Sequence, residues 1–168
     1  PTPSGKIEIF SKRLYDMKHP DIPALSHYVP AAEGPEDPLV KQYPLQLITW
    51  KGKNRANSTQ YANPWLQEVQ IQKLWINPLD AQKRGIRQGD LVRIHNARGV
   101  CQVPAEVTPR IIPGVVAMQA GAWWQPDADG VDLGGCPNVL SSARITPLAK
   151  GNAHQTLLVE VVKYESAV

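Results

Sequence analysis

The chain has 168 residues, of which 42% are hydrophobic, which suits one domain with a real core. Eighteen Lys and Arg against fifteen Asp and Glu leave a net charge of +3, too little for a nucleic-acid footprint but compatible with anionic ligands. No apolar run approaches the ~20 residues of a membrane span, no signal-peptide pattern is present, and sixteen prolines argue against a helical bundle. From the N-terminus, Lys6–Phe10 alternates as a strand with Ile7 and Ile9 on one face, and Ser11–Lys18 reads as a helical turn. Between His19 and Pro44, six prolines punctuate the chain and predict an ordered, polyproline-like arm. The expected organisation is therefore an N-terminal strand and arm over residues 1–42 and a compact domain over 43–168. The first residue is Pro rather than Met, as expected for a piece of a longer protein.

Leu45–Trp50 predicts a buried strand, 51–63 a polar loop, Pro64–Glu68 a short helix and Ile71–Ile76 a second strand. The stretch INPLDAQKRGIRQGDLVRIHNARG, Ile76 to Gly99, is the most informative. Asn77 is an N-cap, Pro78 suits the first helical position, Asp80 favours the first turn, and Gly85 can end the helix in a left-handed conformation. Leu91–Asn96 and Val100–Val107 then form a hairpin around Ala97-Arg98-Gly99, with Gly99 expected at positive φ. Cys101, Val103, Ala105 and Val107 share the inner face. Val115–Met118 predicts a strand, Gln119–Pro137 a long loop bearing Trp123 and Trp124, Asn138–Leu140 a short extended piece, and Thr156–Tyr164 the last strand. About six short strands with helical turns suggest a closed or nearly closed barrel.

Chemistry could sit in the polar loops. The 51–63 loop offers Lys51, Lys53, Arg55, Asn57, Ser58 and Thr59 and contains no acid. Such donors could clamp a phosphate or an amide edge, with Arg55 as a planar fork; an ordinary solvated loop would have the same composition. Trp123 and Trp124 suit a pocket mouth, an interdomain surface or plain packing, whereas Trp50, Trp65 and Trp75 read as core or rim. Asn138 follows a Gly-Gly turn and could read a heterocycle edge or close an Asx-turn. Asn152, His154 and Gln155 form another polar group before the last strand. Cys101 and Cys136 could pair or stay free. Neither lies in a C-x-x-C, and His19, His27 and His95 lack ligand spacing, so no metal site is expected within this chain. Phosphate-loop, dinucleotide-fingerprint and nucleophile-elbow motifs are absent, and carboxylates are scattered. The pattern is that of a binder without a complete catalytic set.

Five segments in order carry a family resemblance: KNRANS at 53–58, the Ile76–Gly99 unit, the stretch from Pro113 to Trp124 with PGVV and GAWW, GGCPNVL at 134–140 and PLAKGNAHQT at 147–156. Together they resemble the C-terminal molybdopterin-dinucleotide-binding domain of the dimethyl sulfoxide reductase family, with wording nearest the catalytic subunits of anaerobic dimethyl sulfoxide and selenate reductases. The opening TPSGKIEIFS is similar to the family's lead-in segment. The resemblance implies a mainly β fold with short helices, a six-stranded double-psi β-barrel with an extended N-terminal arm. It also implies binding of part of a bis(molybdopterin guanine dinucleotide) molybdenum cofactor shared with upstream domains. The family's loop arginine and serine fall on Arg55 and Ser58, its asparagine on Asn138 and its glutamine on Gln155; Lys51, Lys53, Asn57 and Thr59 complete the expected set. Many relatives have histidine where this chain has Asn57.

The resemblance further implies a parent enzyme that reduces S-oxides, N-oxides or selenate-like oxyanions. Its iron–sulfur cluster and molybdenum ligand would lie upstream, and an iron–sulfur electron-transfer subunit would be its partner. The setting implied is periplasmic and bacterial, membrane-associated through partner subunits without direct insertion, and without nucleic acid. The isolated fragment is expected to be inactive and to bind cofactor weakly or not at all. The competing expectation is a non-enzymatic double-psi barrel that binds peptides or partner proteins.

Overall fold

The computed structural model describes residues 2–152 and 155–165. His154 lies outside the described residues. Six strands, β1 (Leu45–Trp50), β2 (Leu74–Ile76), β3 (Leu91–His95), β4 (Val100–Val107), β5 (Val115–Gln119) and β6 (Leu157–Lys163), close into a barrel. Their order around it is β1-β5-β2-β4-β3-β6. The β1–β5 and β2–β4 pairs are parallel and the other four are antiparallel, so the sheet is mixed. This mainly β, closed six-stranded fold with short helices is the one the sequence led us to expect.

Alternation explains the interior. In β4, Cys101, Val103 and Ala105 are buried and their neighbours are partly exposed. Leu45 and Leu47 of β1, Val92 and Ile94 of β3, and Leu157, Val159 and Val161 of β6 complete the core with Leu74, Ile76, Val116 and Met118. Leu47 is fully buried, and its truncation to Ala would cost about 2–5 kcal/mol.

Helix α3 (Pro78–Lys83) starts as expected: the Asn77 side chain accepts from Leu79 N–H at 2.9 Å. Asp80 does more than face the helix dipole. It is buried, and its carboxylate accepts from Gly114 N–H at 2.6 Å, fastening α3 to the turn before β5. Helix α2 (Pro64–Val69) is capped by Asn63. The chain divides into two compact units, Pro1–Ala31 with Ala143–Ala153 and Ala32–Ser142 with His154–Val168. The first contains helix α1 (Lys12–Met17), capped by the Ser11 side chain.

Several local expectations are corrected. Lys6–Phe10 forms no strand: Ile7 and Ile9 are exposed and have no sheet to face, and Phe10 alone bridges Leu25. Residues 138–140 are not extended. Pro137–Leu140 is a 3₁₀ turn, started by the fixed φ of Pro137 and closed by Ser141 N–H donating to Asn138 O at 3.2 Å. Strand β2 begins only at Leu74, not at Ile71. Gly99 is not at positive φ. It is needed for closeness: a Cβ there would lie 2.8 Å from Val139 O. The cysteines are free and buried.

Candidate functional site

Strand directions decide which loops can meet. β1 and β5 run parallel with Trp50 opposite Gln119, so the loops after both leave from one end of the barrel. β6 runs antiparallel to β1, with Leu47 opposite Leu157, which brings Gln155 to that same end. The starts of β2 and β4 and the β3–β4 hairpin also lie there by register. Val139 packs against Gly99 of that hairpin, so Asn138 belongs to this end too. Helix α3 follows β2 and lies at the opposite end. The stretch most legible in sequence is thus scaffold, and the polar loops share the other rim.

At this rim Arg55 is the best-defined cation. Its Nη1 donates to Gln72 Oε1 at 2.9 Å, and its guanidinium carbon lies 4.9 Å from the Tyr61 ring centroid. Trp123 stacks on Tyr61 at 5.8 Å. Tyr61 is buried and its hydroxyl donates to Gly134 O at 3.1 Å. The three groups line or flank a cavity of about 300 Å³ walled also by Gln67, Gln70, Gln72, Gln102 and Gln125. No carboxylate lines it, and Arg55 has no ion-pair partner among the described residues. Burial lowers the Arg55 pKa from its ordinary value, with Tyr61 opposing the shift. Burial likewise raises the Tyr61 hydroxyl, against the pull of Arg55. The guanidinium stays charged at neutral pH.

The loop is shaped by its own backbone. Asn57 and Gln60 take left-handed conformations. Lys51 Nζ donates to Asn57 Oδ1. Ser58 O accepts from Trp123 Nε1 at 2.9 Å, and Thr59 Oγ1 donates to Ala56 O at 2.5 Å. Lys53 is exposed. Gly121 passes so close that an added Cβ would sit 1.8 Å from Asn57 O. Ser58 therefore presents its carbonyl to Trp123, and its hydroxyl remains on an exposed residue.

The glycine turn joins the Arg55 cluster through Gln72, whose Nε2 donates to Gly135 O at 2.9 Å and to Gln119 O at 2.8 Å. Beneath it Asp132 is fully buried, accepting from Gln125, Gly134 and Cys136 N–H groups. Asn138 is exposed, two residues beyond Cys136. Gln155 makes a two-point contact with Thr49, accepting from its N–H at 2.9 Å and donating to its Oγ1 at 2.7 Å. The rim thus collects three groups: the Arg55 cluster, Asn138, and Gln155 on Thr49. Asn152 bridges Ile145 within the first compact unit. No cluster of three or more His, Cys, Asp or Glu able to hold a metal occurs among the described residues. Nor is any helix among them long and apolar enough to cross a membrane.

Sequence reasoning missed Tyr61 and the glutamines. Their signal was an amide-rich run, Gln67, Gln70 and Gln72, with the almost fully buried Gln119 accepting from Gln70 at 2.7 Å. Trp50 and Trp75 pack together at 5.1 Å and are partly exposed, and Trp65 is exposed, so none of the three is a core residue.

The family model described as "Molydopterin dinucleotide binding domain" matches residues 45–158. Dimethyl sulfoxide reductase DmsA of Escherichia coli (strain K12) is 53% identical over 169 residues, covering 96% of this chain and 21% of that relative. Trimethylamine-N-oxide reductase 1 of the same organism is 36% identical over 179 residues, covering 99% and 21%. Acetylene hydratase from Pelobacter acetylenicus shares the fold with a TM-score of 0.78, at 18% identity, over 97% of this chain and 24% of that one. The chain spans about a fifth of the length of the curated relatives it matches.

Proposed function

This chain belongs to the molybdopterin-dinucleotide-binding domain family, and we propose that it grips part of a bis(molybdopterin guanine dinucleotide) molybdenum cofactor as one domain of a longer bacterial reductase. One observation carries the reading: a half-buried guanidinium without a carboxylate partner, in a cavity walled by amides and a tyrosine. A desolvated cation of this kind is stabilised by an anionic ligand. The donor set fits a dinucleotide. Arg55, Lys51 and Lys53 would neutralise pyrophosphate, and Asn57, Ser58, Thr59, Asn138 and Gln155 would hydrogen-bond sugar or heterocycle edges. The molybdenum centre, when bound, supplies the oxygen-atom and two-electron chemistry; the residues of this chain bind and orient.

For the parent we propose reduction of S-oxides, N-oxides or selenate-like oxyanions, supported by relatives named as dimethyl sulfoxide and trimethylamine-N-oxide reductases. Its iron–sulfur cluster, its iron–sulfur partner subunit and a periplasmic, membrane-associated setting belong to the same proposal. A peptide-binding barrel gains no support from the acid-free cationic cavity.

The test is Arg55→Ala in the full-length chain, with molybdenum and guanine nucleotide measured per polypeptide. A charge-assisted contact is worth about 1.5–3 kcal/mol, so affinity should fall roughly 10- to 100-fold. Undiminished cofactor in the purified variant, even after dialysis, would remove Arg55 from the site.

A further inference from the structure

Gln72 stands just before β2 and continues its inward face. Gln72, Leu74 and Ile76 are buried, whereas Ile71, Lys73 and Trp75, which alternate with them, are not. Period two therefore carries the amide to the mouth of the barrel, where the apolar interior gives way to the polar rim. By pattern alone an apolar side chain would suit the position. The amide there is committed on both sides. Its Oε1 accepts from Arg55 Nη1 at 2.9 Å, and its Nε2 donates to Gly135 O at 2.9 Å and to Gln119 O at 2.8 Å. The partners fix its orientation: turned over, it would set N–H against the guanidinium and oxygen against two carbonyls. Gly135 presses the glycine turn onto it, since an added Cβ there would lie 2.6 Å from Gln72 Cγ.

Neither neighbouring choice of side chain meets both demands. A carboxylate has no donor for the two carbonyls, and it would pair with Arg55 and cancel its charge. A methionine fills the space but leaves the carbonyls and the guanidinium unserved. The amide holds the guanidinium from one side and the Tyr61 ring holds it from the other, 4.9 Å away. Both supports are neutral, so the charge stays available to the cavity that Arg55 lines.

We infer that Gln72 is the positioning residue of this site: it aims Arg55 at the anionic part of the dinucleotide and ties that aim to the end of β5 and the glycine turn. The inference deepens, and rests on, the reading of Arg55 as a cofactor contact. Gln72 acts through Arg55, so its effect on the ligand should vanish when Arg55 is gone.

Full-length chains loaded with cofactor test this by the rate at which guanine nucleotide leaves on dialysis, read together with the melting temperature. Gln72→Met should speed the loss roughly five- to tenfold, within the effect of Arg55→Ala itself. Added to Arg55→Ala, it should change the rate less than about twofold. The melting temperature should fall in both backgrounds, because two buried carbonyls lose their donor in each. A merely structural glutamine would multiply the nucleotide loss in both backgrounds, and that outcome overturns the inference. So does a wild-type rate in Gln72→Met beside a fast rate in Arg55→Ala. Arg55→Lys serves if Gln72→Met fails to fold, since it leaves both carbonyl bonds untouched. It keeps the charge without the planar fork, so nucleotide should leave nearly as fast as from Arg55→Ala; loss at the wild-type rate would overturn the inference. An unchanged rate in Arg55→Ala would instead sink the reading of Arg55 beneath it, which sets that failure apart from a failure of Gln72 alone.

Discussion

Replacing Gly121 with alanine tests the close packing that shapes the Arg55–Ser58 loop. Gly121 has φ +92°, and an added Cβ would lie 1.8 Å from Asn57 O and 2.5 Å from its carbonyl carbon. Restoring ordinary contact requires the Asn57–Ser58 backbone to retreat by about 1.5 Å. The left-handed conformation alone costs an alanine about 1–2 kcal/mol, and relieving the overlap adds about 1–3 kcal/mol. Gly130 is the internal control. It sits in the same long loop at φ +80° with no atom within 4 Å of its added Cβ. Gly130→Ala therefore carries the backbone strain without the overlap. For a chain of this size each kcal/mol lowers Tm by about 2–4 °C, so Gly121→Ala should melt roughly 2–12 °C below Gly130→Ala. Calorimetry of the two variants reads that gap, and metal analysis of the full-length forms reads whether the displaced loop still holds cofactor. Equal melting temperatures, with full cofactor in both, would refute the contact and the role given to the loop.

Asp132→Asn should destabilise the chain by about 2–4 kcal/mol, because an amide would aim a donor at one of the backbone N–H groups the carboxylate now accepts; urea unfolding checks this, and a loss under 0.5 kcal/mol would refute it. Burial raises both thiols, Cys101 most strongly, so neither should react with an alkylating agent at pH 8 until the chain unfolds. The sign for stability follows. Below the ordinary thiol value of 9.0 both states hold the proton, and above it the unfolded chain releases the proton first. Stability should therefore fall as pH rises past 9, by about 1.4 kcal/mol per unit for Cys101, and Cys101→Ala should remove that share of the slope.

Much of the barrel was legible because its strands obey period two and its caps obey local rules. Asn77, Pro78 and Gly85 mark α3 within a few residues, and Cys101, Val103 and Ala105 mark the inner face of β4. What failed depended on distant neighbours. Lys6–Phe10 has the alternation of a strand, but alternation describes a strand only when a sheet exists to receive it. Gly99 looked like a turn glycine, yet the constraint on it comes from Val139, 40 residues later. Gln72 looked like a strand residue, yet its amide serves Arg55, Gln119 and Gly135, which come from two other loops and the end of β5.

The same dependence explains why the site could be guessed residue by residue but not assembled. A hairpin would place loops at alternate ends of a sheet, whereas the parallel β1–β5 pair sends two long loops off the same end despite 64 intervening residues between Trp50 and Val115. Antiparallel pairing of β6 with β1 then adds Gln155 to that end through Thr49. A rim assembled this way has no contiguous motif to read. Its legible trace is compositional: one donor-rich loop without acids at 51–63 and polar stretches elsewhere, each followed or preceded by a strand whose register alone decides whether they meet. Barrel closure is therefore the step that turns scattered polar residues into a shared binding edge, and a substitution that shifts β1 against β5 should disable the rim even with every polar side chain intact.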